Sequence, residues 1–228
     1  MSTSAAERRR GAARRRQRGA VLLLMLLVMM LGASALLMSL AATPSRQREQ
    51  RTLQAMADAR EALIGFALRN GRLPRPATSA DGDERSAECL NDTDCTGFLP
   101  WRSLGLAPGD GWDHLLRYSV TPAFARVPLD LDSALPTKQV AGGAAQPPAP
   151  AVILSTGARN YGVSLLGIPQ ANEAVSSAEE AANAVASVRF IRRPAGNDVL
   201  DNQAFDDLVD VVPLRQLRQR MAAVAVRR

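Results

Sequence analysis

Two cysteines, one histidine and a late run of aspartates are the residues in this chain best suited to chemistry. Cys89 and Cys95 are the only cysteines. In an oxidising compartment an even pair this close reads as a disulfide. It would close the acidic loop Leu90-Asn91-Asp92-Thr93-Asp94. The alternative is a metal pair, but C-x5-C is not a zinc spacing and only His114 is available as a third ligand. Cys89 and His114 can also be drawn as a thiol–imidazole pair for nucleophilic catalysis. The second cysteine makes a structural disulfide the simpler use. Asp201, Asp206, Asp207 and Asp210 offer the several oxygens that calcium takes. They lack the EF-hand spacing and its glycine, so a solvated loop is the favoured reading, and no cofactor is expected beyond this weak calcium candidate. The chain has no G-x-S-x-G elbow, Walker A loop, H-E-x-x-H or dinucleotide fingerprint. No enzymatic activity is expected.

The elements that must carry these residues are announced by a sharp boundary at Arg18-Gly19-Ala20. Residues 1–18 hold seven arginines and one glutamate, which accounts for the whole formal charge of +6. The rest of the chain is neutral, so the charge is a property of one arm, and nucleic acid is not an expected partner. From Ala20 to Thr43 the chain is apolar or small, with no charge between Arg18 and Arg46. As a helix this run would be roughly 36 Å long, enough to cross a bilayer. Flanking arginines hold their side in the cytoplasm, which predicts a cytoplasmic N-terminus and an exported body. Ala33-Ser34-Ala35 and Ser39-Leu40-Ala41 imitate signal-peptidase sites, but the run is longer than an ordinary secretory core.

Beyond the span, Leu53, Met56, Leu63, Ile64, Ala67 and Leu68 recur at steps of three and four, predicting an amphipathic helix over 45–70. Pro44 would kink or interrupt it at the join. Asn70-Gly71 would end it. Residues 71–228 are enough for one core. Arg117-Tyr118-Ser119-Val120, Ala151-Val152-Ile153-Leu154-Ser155 and Ser187-Val188-Arg189-Phe190-Ile191 read as strands. Residues 121–150, with six prolines and Gly142-Gly143, read as a surface loop. The alanine-rich segment 171–188 reads as a short helix or an insertion. Leu214, Leu217 and Met221 suggest a closing helix.

Gln17-Arg18-Gly19 followed by Ala20-Val21-Leu22-Leu23-Leu24 resembles the leader junction of the type IV pilin and type II secretion pseudopilin family. Three further segments are similar to that family. They are Leu99-Pro100-Trp101 through Leu104-Gly105-Leu106, the stretch from Asp110 and Trp112 to Leu116-Arg117-Tyr118, and Asp206-Asp207-Leu208-Val209. The resemblance implies cleavage between Gly19 and Ala20 by prepilin peptidase, with methylation of the new amine. It implies an α+β fold: a long N-terminal helix, half transmembrane and half periplasmic, packed on a small loop-rich antiparallel-sheet head. The implied divisions are a leader 1–19, a transmembrane helix 20–44, a periplasmic helix 45–70 and a head 71–228. The implied place is the bacterial inner membrane, with the head in the periplasm or in a filament, and with other pilins and membrane lipid as partners. Family members usually carry glutamate at the fifth mature position, where this chain has Leu24. The departure points to a low-copy tip subunit, with no subunit above it to pair. Some pseudopilins hold calcium in the head, which keeps the aspartates of interest. An uncleaved membrane anchor on a binding or scaffold domain is the alternative.

Overall fold

In the computed structural model the described residues are 4–143, 145–172, 177–196 and 204–225; side chains are described for 23–34 and, within those segments, for 45–223. The elements run α1 (Ser4–Asn70), β1 (Thr96–Phe98), α2 (Trp101–Leu104), β2 (Arg117–Val120), a 3-10 turn (Pro122–Ala125), β3 (Gln139–Ala141), β4 (Ala151–Ser155), α3 (Ala178–Val185), β5 (Arg189–Ile191), β6 (Leu208–Val212) and α4 (Leu214–Ala225). The chain divides into two compact units, Met1–Gln47 and Arg48–Arg228.

The second unit is layered around β4. All five β4 residues are buried, which requires cover on both faces of its sheet. Its side chains alternate accordingly. Ala151 and Ile153 join one cluster with Met56, Ala59, Leu63, Ile64 and Ala67 of α1. Val152 and Leu154 join another with Ala186, Phe190 and Val209. The order β1-β2-β4-β6 is antiparallel throughout, with Tyr118 opposite Ile153 and Ile153 opposite Asp210. Leu217 of α4 is buried in the α1-side cluster, and Leu214 and Met221 pack against it. Helix α1 stops where Gly71 takes φ +69° and its N–H reaches Ala67 O at 2.9 Å, the left-handed cap that glycine accommodates without strain.

The expected fold class is corrected in two respects. Among the described residues no helix is long and apolar enough to cross a membrane. The transmembrane half over 20–44 is therefore not supported, nor is the single-pass inner-membrane placement built on it. The sheet content also differs. Beside the antiparallel sheet lies a parallel pair, β3 with β5. β3 rises within 121–150, a region read as loop. Its three residues are mostly exposed, so they carry no hydrophobic period by which to recognise a strand.

Trp101 is only partly buried; its Nε1 donates to Ala80 O at 3.2 Å. Gly82 lies beneath the ring, where a Cβ would sit 2.2 Å from Nε1. The largest fully buried aromatics are Tyr118, Phe124, Phe190 and Phe205.

Candidate functional site

Of the four candidate aspartates the structure brings two together. Asp206 and Asp207 stand at the entry to β6, and their partner is Glu180 of α3, with one oxygen from each of the three lying within 4.8 Å of the others. Ser177 makes this possible by capping α3: its Oγ accepts the Glu180 N–H at 3.0 Å. The Glu180 side chain then turns away from its own helix end. Its Oε1 accepts the Asp206 N–H at 2.8 Å and its Oε2 accepts Asn160 Nδ2 at 3.1 Å. Asp206 Oδ2 accepts from Ala158 N at 3.0 Å and Arg159 Nε at 3.2 Å. Asp207 Oδ2 accepts from Asn183 Nδ2 at 2.8 Å.

Burial dominates the electrostatics of this cluster. It pushes the Asp207 carboxyl up to about 8; the Asn183 hydrogen bond opposes this, the charges of Glu180 and Asp206 add to it, and Arg117 opposes it. Asp206 is also raised, chiefly by burial, against the pull of Ala158 N–H and Arg159. At neutral pH the group therefore retains a proton on Asp207. Most of its oxygens already accept N–H donors, which suits a hydrogen-bonding hub tying α3 to β6 better than the open cage of six to eight oxygens calcium takes. Asp206 Oδ1 is buried without a hydrogen-bond partner, and Gly157 packs against it so tightly that a Cβ would stand 2.4 Å away.

Asp210 takes no part in the cluster. Its Oδ2 accepts Arg60 Nη1 at 2.7 Å and its Oδ1 accepts the Val211 N–H at 2.9 Å. Asp201 lies outside the described residues. Glu180 lies 26 residues before Asp206 on a separate helix, so the spacing of the aspartates does not point to it. The signal was the run Ser177-Ala178-Glu179-Glu180, the spacing of a capping box.

Cys89 and Cys95 form a disulfide, both buried, with Cα atoms 5.0 Å apart. The Cys89–His114 pair is not made. His114 Nδ1 instead lies 3.0 Å from Gly157 O, and the ring packs on Gly162. The nearby Ser155 hydroxyl donates to Asp110 Oδ2 at 2.5 Å, while Asp110 Oδ1 accepts the N–H groups of Trp112 and His114 at 2.8 and 3.0 Å. These partly buried bonds fix the 110–114 turn.

In the first unit Leu23, Leu24, Met25, Leu26, Leu27, Val28, Met29, Met30 and Leu31 are all exposed, between 59% and 74%. Ser34 donates its hydroxyl to Met30 O at 2.8 Å, so it presents no unsatisfied donor. Gly19 and Ala20, the expected cleavage point, lie outside the residues whose side chains are described. No protein-family model, curated protein or solved structure matches this chain.

Proposed function

We propose that this chain is a pilin-like subunit, cleaved by prepilin peptidase between Gly19 and Ala20 and assembled at low copy into a type IV pilus or a type II secretion pseudopilus. The observation that supports this reading most strongly is the exposed apolar stretch of α1. Nine consecutive large side chains, 23–31, are uncovered. A helix that is apolar around its whole circumference calls for burial. Helices of like composition from neighbouring subunits would cover it in a filament core. Gly32, Ala33 and Ser34 then make a short band of small residues around the helix, where neighbouring helix axes can approach closely. Leu24, in place of the usual glutamate, offers no counter-charge to the N-terminal amine of a neighbouring subunit in that core, which favours a tip position, with no subunit above to pair, over the shaft.

The test is mass spectrometry of the N-terminal peptide from protein in its native cells. A first residue of methylated Ala20, lost when prepilin peptidase is absent, is the expected result. A chain that keeps the arginine arm, or one starting after Ala35 or Ala41, overturns the reading.

A further inference from the structure

The sequence contains a single lysine among its 28 lysine and arginine residues, Lys138. Its side chain is entirely buried, with 0% exposed. An ammonium group sealed from water must be paired and hydrogen-bonded. Lys138 Nζ donates to Asp92 Oδ1 at 2.7 Å and to Ser187 O at 2.6 Å. Burial pulls the lysine down from its ordinary value and Asp92 pushes it back up. A compact ammonium fits such a pocket better than a planar guanidinium.

Asp92 lies inside the loop closed by Cys89–Cys95. The same Oδ1 also accepts the Thr137 hydroxyl at 2.6 Å. The loop is internally braced by Cys95 N–H to Asn91 O at 2.9 Å and by Leu90 N–H to Asp94 Oδ2 at 2.9 Å. Its two cysteines sit in the core, at 1% and 0% exposure. On the other side, Lys138 directly precedes β3, and its ammonium holds Ser187 in the turn before β5. The β3–β5 pair is a sheet of its own. Lys138 is thus the rivet between the disulfide loop and that sheet.

We propose that the Cys89–Cys95 bridge is a redox latch acting through Lys138: closed, it holds Asp92 as counter-ion to the buried ammonium; open, it releases Asp92, loosens the β3–β5 sheet and exposes the amine. Opening needs a thiol reductant. A dithiol supplies two electrons and two protons, the S–S bond breaks, two protein thiols form, and the reductant becomes its own disulfide. Without a fixed counter-ion the ammonium regains water only by leaving its pocket. The strand it precedes must then move with it, a local opening that leaves the rest of the head in place.

Acetylation of the full chain by acetic anhydride tests this, read by peptide mass spectrometry at Lys138. Lys138 should be protected in the oxidised protein. Labelling should be faster by about tenfold or more after dithiothreitol and in the Cys89→Ser/Cys95→Ser variant. Hydrogen exchange of the β4 amides, followed in parallel, should change little. Asp92→Asn keeps the disulfide and removes only the counter-ion, so it should raise labelling too. Protection of Lys138 that survives loss of the disulfide overturns the proposal, whatever Asp92→Asn does. So does loss of β4 protection together with Lys138 in the cysteine variant, which would make the bridge a global staple.

Discussion

Arg60 on α1 and Asp210 on β6 meet at 2.7 Å, although 150 residues separate them in the chain. The pair lines a cleft of about 610 Å³ that also includes Leu53, Arg192 and Asp207. Both side chains are roughly a quarter exposed, so water screens part of the attraction. Arg60→Ala should lower stability by about 1 kcal/mol, read from the urea midpoint. An unchanged midpoint would mean the pair contributes nothing to holding α1 on the sheet.

The acidic cluster makes stability depend on pH. Asp207 ionises near 3.8 when unfolded and at about 8 when folded. Below the lower value both states are protonated and there is no penalty. Between the two the folded chain keeps a proton that the unfolded chain has lost, so stability falls as pH rises; above about 8 the loss levels off. Asp207→Asn should remove a slope approaching about 1.4 kcal/mol per pH unit. Denaturation curves at pH 5, 6, 7 and 8 check this. Parallel profiles for the two proteins would show that Asp207 titrates normally.

Gly111 brings a loop into close contact with α1. A Cβ there would stand 2.1 Å from Arg48 O, and the Gly111 N–H donates to Thr52 Oγ1 at 2.9 Å. Helix backbone cannot retreat as a side chain can, so Gly111→Ala should destabilise by about 1–3 kcal/mol. Thr52→Val removes the acceptor without adding bulk at the loop and should cost about 1 kcal/mol. Thermal melts of both variants should preserve this order.

Ala33 is exposed on α1 in the first unit. Ala33→Arg should leave the melting of the head unchanged and abolish incorporation into filaments, because a charge in a packed helical core has no partner. Pull-down of sheared filaments followed by immunoblotting measures this. Normal incorporation would count against the pilin reading.

Where the sequence pattern is regular, it maps directly onto structure. Met56, Leu63, Ile64 and Ala67 are the buried stripe of α1, β4 spans the same five residues as the apolar run, and the α4 stripe is seated on the core. Leu53 belongs to the same helical period yet is 51% exposed, because periodicity gives direction around a helix and not how far its cover extends. β6 begins at Leu208, immediately after the Asp206-Asp207 pair, which turns inward to meet Glu180. No periodic signal announces that meeting, since its members come from separate elements and are joined by side-chain hydrogen bonds. The β3–β5 pairing is hidden for a similar reason, its strands being three residues long and fixed by backbone contacts. The lysine buried at position 138 is conspicuous only on counting, as the single exception in a chain that otherwise uses arginine for every cation.

That exception has a consequence for the laboratory. With Lys138 sealed in the oxidised head, the folded protein presents no side-chain amine to solvent. Amine-directed dyes will attach at the α-amino group, one per molecule, wherever the mature chain starts. Lysine-to-lysine crosslinkers will be blind to every head-to-head contact in an assembly, so empty crosslink maps would carry no information about its architecture. Carboxyl- or arginine-directed reagents are the ones able to report it.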